Sequence, residues 1–425
     1  MTSPPPGEPL DDGLPTAEIF GEGYRDRLKT QIGIIQEALG NVGIGFDERL
    51  EDASLENADP LYLYKEGVIL VRDEDIPRVF DVVRGEPDDS LIPGVTRWRP
   101  VGGTIPALQQ LDAALGVGTA TPDHILYTTD GVAGCCGATE PEEPPVRHPY
   151  PPIEVSAECQ GTGVLVSVVD TGWLPEAADH PDTPWLRGVT GDDIEIIEND
   201  IIKKYQGHGT FVAGVVRTMA PKASVRVEGF FGEAGAISES NMVMQLDDAL
   251  RHAPDIISIS AGTRTRKSQS PMTFEMFWKN RLRHYKGTVL VAAAGNDGNR
   301  GPFWPAGFPW AVSVGALDKH GNRADFTNFG SWVDVYALGV DVINAYATGT
   351  YTCVEDPHVG EVRRFDGLAQ WSGTSFSTPI VSGLIAARMS QTGESARRAA
   401  DELLRIAQIN AKPGVGARIG PGFQL

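Results

Sequence analysis

Between residues 158 and 425 the apolar residues come in short, nearly continuous runs rather than in alternation. The runs are 164–169 (VLVSVV), 225–230, 256–260 and 289–293 (VLVAA). A strand with apolar side chains on both faces is buried on both faces, as in a parallel sheet covered by helices. Segments 241–252 and 396–407 carry helical spacing and are the candidate covering helices. Strands alternating with helices predict an α/β fold for 158–425, a doubly wound, mostly parallel sheet.

The N-terminal third has another rhythm. Residues 1–16 are rich in Pro, Gly and acid and predict a disordered tail. Ile19, Tyr24, Leu28, Ile32 and Ile35 then fit one face of a helix over 18–38. Residues 61–71 predict a strand or hairpin, 76–83 a helix, 95–101 a strand, 105–115 a helix and 124–129 a strand. That order predicts a smaller α+β domain over 17–129, compatible with a ferredoxin-like arrangement. Residues 130–157 contain too much Gly, Pro and acid for regular structure and predict a linker.

Charge narrows the partners. A net charge of −21 repels phosphate backbones and anionic membranes, so neither nucleic acid nor a membrane is an expected partner. No apolar run approaches the roughly 18 residues that cross a bilayer. The first residues lack a charged-then-apolar leader pattern, so the expected location is cytoplasmic. Cys135, Cys136, Cys159 and Cys353 are too few for a disulfide scaffold and lack zinc spacing, which predicts reduced thiols.

Four segments at predicted strand ends and helix starts carry chemistry: 168–172 (VVDTG), 207–214 (GHGTFVAG), 292–296 (AAAGN) and 373–383 (GTSFSTPIVSG). Each alone reads as a cap or a turn. Together they supply an acid, an imidazole, an amide and a hydroxyl, each flanked by small residues that let a substrate backbone approach. In open parallel sheets such groups gather at the carboxyl ends of strands.

Taken together, these four stretches resemble the subtilisin-like serine peptidases, over roughly residues 158–425 and in the triad order Asp, His, Ser that the family uses. The resemblance implies Ser375 as nucleophile, His208 as general base and acid, and Asp170 as the group that orients and stabilises the imidazole. Asn296, with the Ser375 backbone N–H, is implied as the oxyanion hole. The stretch Ser258, Ile259, Ser260, Ala261, Gly262 resembles the strand on which the family pairs an extended peptide substrate. Ala294, Gly295 and Phe303 fall where relatives line the pocket for the residue before the cut. Phe303 stands near a floor position that many relatives leave as Gly, and Asp297 near the rim.

What the resemblance implies is a serine endopeptidase acting on peptides or proteins, with residues 61–129 in the place of an inhibitory propeptide. A dedicated intracellular processing or regulatory role is the expectation. The other reading, a catalytically idle peptide-binding or sensor module, predicts loss of a triad or oxyanion residue, and all four are present. No cofactor is expected. The acidic run Asp192, Asp193 and Glu195 reads as a solvated face, so no metal site is expected either. The calcium loop that many secreted relatives carry within the helix after the His is lacking here.

Overall fold

Two seven-stranded sheets, one antiparallel and one parallel, organise the chain. The computed structural model describes residues 24–420 apart from 51, 59–60, 89–92, 129–139, 154–159 and 356. The predicted tail, Ile19, Cys135, Cys136 and Cys159 lie outside the described residues. The first part runs α1 (Tyr24–Leu39), β1 (Val42–Gly45), β2 (Tyr62–Arg72), α2 (Ile76–Val82), β3 (Gly85–Pro87), β4 (Val95–Pro100), α3 (Thr104–Leu115) and β5 (Ala120–Thr128). Its sheet is antiparallel in the order β5–β2–β4–β3, the split βαβ arrangement. Leu108 and Leu111 of α3 pack with Val79 of α2 against Ile69, Val71 and Trp98 of the sheet.

The second part opens with β6 (Leu165–Asp170), β7 (Thr190–Gly191), β8 (Ile201–Ile202), α4 (His208–Met219) and β9 (Ser224–Gly229). It continues through β10 (Ala236–Ser238), α5 (Glu239–Ala249), β11 (Ile256–Ile259), β12 (Ala261–Gly262), α6 (Met272–Asn280) and β13 (Val289–Ala293). Then follow β14 (Ala311–Leu317), β15 (Val335–Leu338), β16 (Val342–Ala345), β17 (Gly349–Thr352), β18 (Val362–Phe365), β19 (Leu368–Trp371), α7 (Thr374–Thr392) and α8 (Ala396–Ile409). The main sheet is parallel in the order β15–β14–β13–β11–β6–β9–β7. Successive residues feed opposite cores, as the two-residue strand period requires. Val289 and Val291 join Phe211, Ile380 and Leu403 under α4, α7 and α8. Leu290 and Ala292 join Leu246 and Phe277 under α5 and α6. Burying such side chains contributes about 1.5–3 kcal/mol each. Because both faces are covered, the groups available for chemistry sit at the strand ends.

Residues 140–153, linker by composition, are held against the second part. Glu142 and Gln370 exchange backbone hydrogen bonds at 2.8 Å, and Tyr150 and Ile343 do so at 2.9 Å. The buried Glu140 carboxylate accepts from the Tyr351 hydroxyl at 2.7 Å and the Val354 N–H at 2.6 Å. A segment without helix or strand period still satisfies its backbone by joining open strand edges, which composition does not reveal. Burial and the neighbouring Glu140 push the Cys353 thiol up to about 12, so it is protonated.

Candidate active site

Asp170 ends β6, His208 opens α4 and Ser375 is the second residue of α7; the Phe376 ring against the imidazole and the Ser260–Ser375 bond just past β11 gather the three elements at the carboxyl ends of β6 and β11. His208 Nδ1–H donates to Asp170 Oδ1 at 2.6 Å, and the Thr171 N–H donates to the same oxygen at 2.8 Å. Gly207, just before His208, has φ 82°, and a Cβ there would lie 2.7 Å from the Tyr346 ring. Only glycine fits both demands. The Trp371 and Phe376 rings pack against the imidazole, with centroids 5.4 and 5.5 Å away.

Ser375 is placed by a local consequence of sequence. Pro379, four residues on in the helix, has no N–H for the Ser375 carbonyl. The Ser260 hydroxyl donates to that carbonyl instead, at 2.9 Å. Ser375 Oγ in turn lies 3.3 Å from the Ser260 carbonyl oxygen. Asn296 follows β13. Its Oδ1 accepts from the Thr374 N–H at 3.0 Å and the Thr374 hydroxyl at 2.9 Å. Both donors demand an oxygen, which fixes the carboxamide and turns its Nδ2 toward the Gly373 side, 3.4 Å from where a Cβ would stand.

The residues expected to bind substrate divide. Ser258 is not available: it sits inside the parallel sheet between Val168 and Val291, and its hydroxyl accepts from Ser382 at 3.0 Å. Both of its backbone edges face neighbouring strands, so they are closed to a peptide. Ala261 and Gly262 lie beyond that sheet as β12. Thr263 and Trp304 exchange two backbone hydrogen bonds at 2.8 Å, which delivers Phe303 beside Gly262. A Cβ on Gly262 would meet the Phe303 ring at 2.3 Å and one on Gly295 would meet it at 2.9 Å. The ring therefore fills the slot between these two glycines, next to the buried Ala294. Asp297 is buried, not at a rim, and pairs with Arg264 at 3.1 Å.

The slot also meets the N-terminal part. Strand β5 inserts between β10 and β12, antiparallel to both, with Tyr127 opposite Ala236 and Gly262 and Thr128 opposite Ala261. The Tyr127 ring packs edge-on to Phe303 at 5.9 Å. Beside it, Asp123 accepts from the Ser240 N–H at 2.9 Å and the Ser240 hydroxyl at 2.7 Å, at the start of α5. Burial raises the Asp123 pKa. The Arg266 N–H donates to His124 Nε2 at 3.2 Å, which leaves Nδ1–H to donate to Glu239 Oε2 at 2.9 Å. Arg266 also reaches Glu48 at 2.5 Å and Asp112 at 2.8 Å. The N-terminal acids thus meet basic residues of the second part, a complementarity spread over distant positions that no motif announces.

Glu195 departs furthest from its sequence reading. The Asp192–Glu195 run reads as a solvated face, but Glu195 is 7% exposed. Its Oε2 accepts from the Gly207 N–H at 3.0 Å, and it is hydrogen-bonded to Thr171. Asp192 instead takes Arg226 at 3.1 Å and the Gly229 N–H at 3.1 Å. Among the described residues no three His, Cys, Asp or Glu side chains form a metal-holding group. No helix among them is long and apolar enough to cross a membrane.

A buried Asp–His pair, a serine at a helix start and a carboxamide fixed at that start are the groups a serine hydrolase uses. The family model of the subtilase family (Peptidase_S8) matches residues 161–421, and the chain belongs to that family of serine endopeptidases. It is 31% identical over 248 residues to thermitase of Thermoactinomyces vulgaris, covering 56% of this chain and 78% of thermitase. It is 31% identical over 236 residues to subtilisin Savinase of Lederbergia lenta, covering 53% of this chain and 76% of that protein. The crystal structure of fervidolysin from Fervidobacterium pennivorans, described as a keratinolytic enzyme related to subtilisin, aligns with a TM-score of 0.57 at 20% identity. That alignment covers 90% of this chain and 62% of fervidolysin, and at this identity it speaks to the fold alone.

Proposed function

We propose that this subtilase hydrolyses peptide bonds through Ser375 as nucleophile, His208 as base and acid, and Asp170 as the orienting carboxylate. Asn296 Nδ2 and the Ser375 N–H bind the oxyanion. The observation that carries the reading is the 2.6 Å Asp170–His208 bond, with the ring of Phe376 against the imidazole and Ser375, one residue earlier, at a helix start tied to Asn296. Ser375 loses its proton to His208 Nε2 as it attacks the scissile carbonyl. The imidazolium, stabilised by Asp170, then gives that proton to the departing amine, and water repeats the sequence to release the acid. Labelling of the purified chain by a fluorophosphonate, with mass spectrometry of the labelled peptide, tests the assignment. A probe adduct on any residue other than Ser375 overturns it.

The N-terminal part is proposed to inhibit the site in cis. Strand β5 occupies the β12 edge in the way an extended substrate does, satisfying its backbone groups. We expect the chain to cut itself directly after that strand, between Thr129 and Asp130, which lie outside the described residues. The held segment 140–153 makes a cut further on unfavourable. Mass spectrometry of the incubated chain reads the new terminus, and the isolated fragment 24–129 added in trans lowers the activity of the cut enzyme. Full activity of the uncut chain, unaffected by the fragment, refutes inhibition.

Phe303 is proposed to restrict the residue before the cut to small or medium uncharged side chains, which suits a dedicated processing protease. Its ring takes the volume a large side chain needs, and forcing both in costs about 1–3 kcal/mol. Arg264 neutralises Asp297, so no charge is left to attract a basic residue. Phe303→Gly is expected to raise cleavage after Phe and Tyr in a peptide library by about 5- to 150-fold, the ratio that corresponds to that cost. Efficient cleavage after Phe by the unsubstituted enzyme is the contrary result.

A further inference from the structure

Glu195 belongs to neither the triad nor the oxyanion hole, yet it touches both elements that carry the Asp–His pair. Its Oε2 takes the Gly207 N–H at 3.0 Å, at the residue that sets the start of α4 and hence the position of His208. Its carboxyl is also hydrogen-bonded to Thr171, the residue after Asp170. Thr171 is itself a junction. Its oxygen accepts the Gly209 N–H at 3.2 Å, and its single hydroxyl proton is shared between Asp170 Oδ1 at 3.3 Å and the Tyr205 carbonyl at 3.4 Å, with the Glu195 carboxyl as a further acceptor. The aliphatic stem of Glu195 closes on Gly172, where a Cβ would lie 2.9 Å from its Cγ. The residue is thus packed in place as well as bonded.

We propose that Glu195 is a positioning residue for the Asp170–His208 pair: it ties the end of β6 to the start of α4, and its charge sets the pH at which His208 acts as a base. The inference rests on the triad assigned above. A carboxyl with its proton donates to the Thr171 oxygen, and Thr171 then directs its own proton to Asp170. An ionised carboxylate instead draws the Thr171 proton to itself and places a second negative charge beside the imidazole.

Burial raises the Glu195 carboxyl to about 7, so the change of state falls in the range where an imidazole titrates. The charged groups that face it are Asp170, from the end of β6, and His208, from the start of α4. From β9, Arg226 and Glu228 are engaged elsewhere, Arg226 with Asp192 and Glu228 with Arg226 and Ser167. The sign follows. Ionised Glu195 favours the imidazolium and raises the pH at which His208 becomes a free base. That charge is absent below about pH 7 and present above it. A buried interaction of this kind is only weakly screened by salt.

Glu195→Gln keeps an oxygen for the Gly207 N–H and removes the charge. The acid limb of the kcat/KM–pH profile on a peptide substrate is expected to move down by about 0.5–1 pH unit. A loss of packing alone lowers kcat without moving that limb. The His208 imidazole NMR titration, followed in the full-length Ser375→Ala chain with and without Glu195→Gln, is expected to shift in the same direction. This second measurement needs no hydrolysis, so a chain that fails to cleave peptides refutes the assigned activity while the titration still tests Glu195. If Glu195→Gln does not fold, the Ser375→Ala chain alone decides. Its His208 resonances must then show a second inflection from the neighbouring carboxyl, and a single unperturbed inflection overturns the proposal. An unmoved limb together with an unmoved titration also overturns it, with the peptidase assignment intact.

Discussion

Ser375→Ala is expected to abolish both peptide hydrolysis and fluorophosphonate labelling while leaving the fold unchanged. The loss is expected to be about 10⁶-fold in kcat, the order found on removing a triad serine or histidine from a subtilisin. The fold is expected to survive because the hydroxyl makes little of the local structure. What ties this turn down is the Ser375 carbonyl, which takes the Ser260 hydroxyl in place of the Pro379 N–H. The 3.3 Å contact from Ser375 Oγ to the Ser260 carbonyl is long, and its loss costs at most about 1 kcal/mol. Circular dichroism and the thermal midpoint check the fold, and probe labelling with single-turnover hydrolysis checks the chemistry. Labelling that persists in the alanine variant removes Ser375 from the mechanism. In the same variant the bond after Thr129 is expected to stay intact, which separates self-cleavage from cleavage by a contaminant.

The sheet, and the segments that carry the proposed triad, were legible because they rest on local patterns. Apolar runs such as 289–293 match a strand buried on both faces, and VVDTG and GHGTFVAG carry their own strand end and helix start. The N-terminal strands and helices were legible for the same reason, through their periods of two and of three to four residues. What pairs with what was not. That Thr128 faces Ala261, or that Arg266 meets Glu48 and Asp112, depends on the docking of segments far apart in sequence. Ser258 shows the reverse failure. It lies in the right motif, but it stands two residues too early to leave the sheet. Glu195 was misread because three acids in four residues look solvated, and only the fold decides that one of them turns inward. The glycines at 207, 262 and 295 were visible as small residues, but their partners Tyr346 and Phe303 were not.

Asn296→Ala is expected to lower kcat by about 10²–10³ with little change in KM; the type case for this magnitude is the oxyanion asparagine of subtilisin, a relative of this chain. The geometry gives the reason for the split. The carboxamide is held by Thr374 through its oxygen, so its Nδ2 is aimed before substrate arrives and spends no energy reorienting. A ground-state carbonyl is neutral and offers that N–H a modest hydrogen bond. The tetrahedral oxyanion carries full charge in a buried site, where a charge-assisted bond is about twice as strong. In the proposed role the amide acts mainly in the transition state, and its removal is expected to fall on kcat. Alanine also leaves the Thr374 N–H and hydroxyl without their acceptor, so a structural contribution must be separated from the electrostatic one. Asn296→Asp does this. It keeps an oxygen for Thr374 but puts a negative charge where the oxyanion forms, and kcat is expected to fall below that of the alanine variant. If aspartate restored activity, holding Thr374 would be the role of Asn296 and the oxyanion assignment would fall. A defect confined to KM in both variants would make Asn296 a ground-state binder.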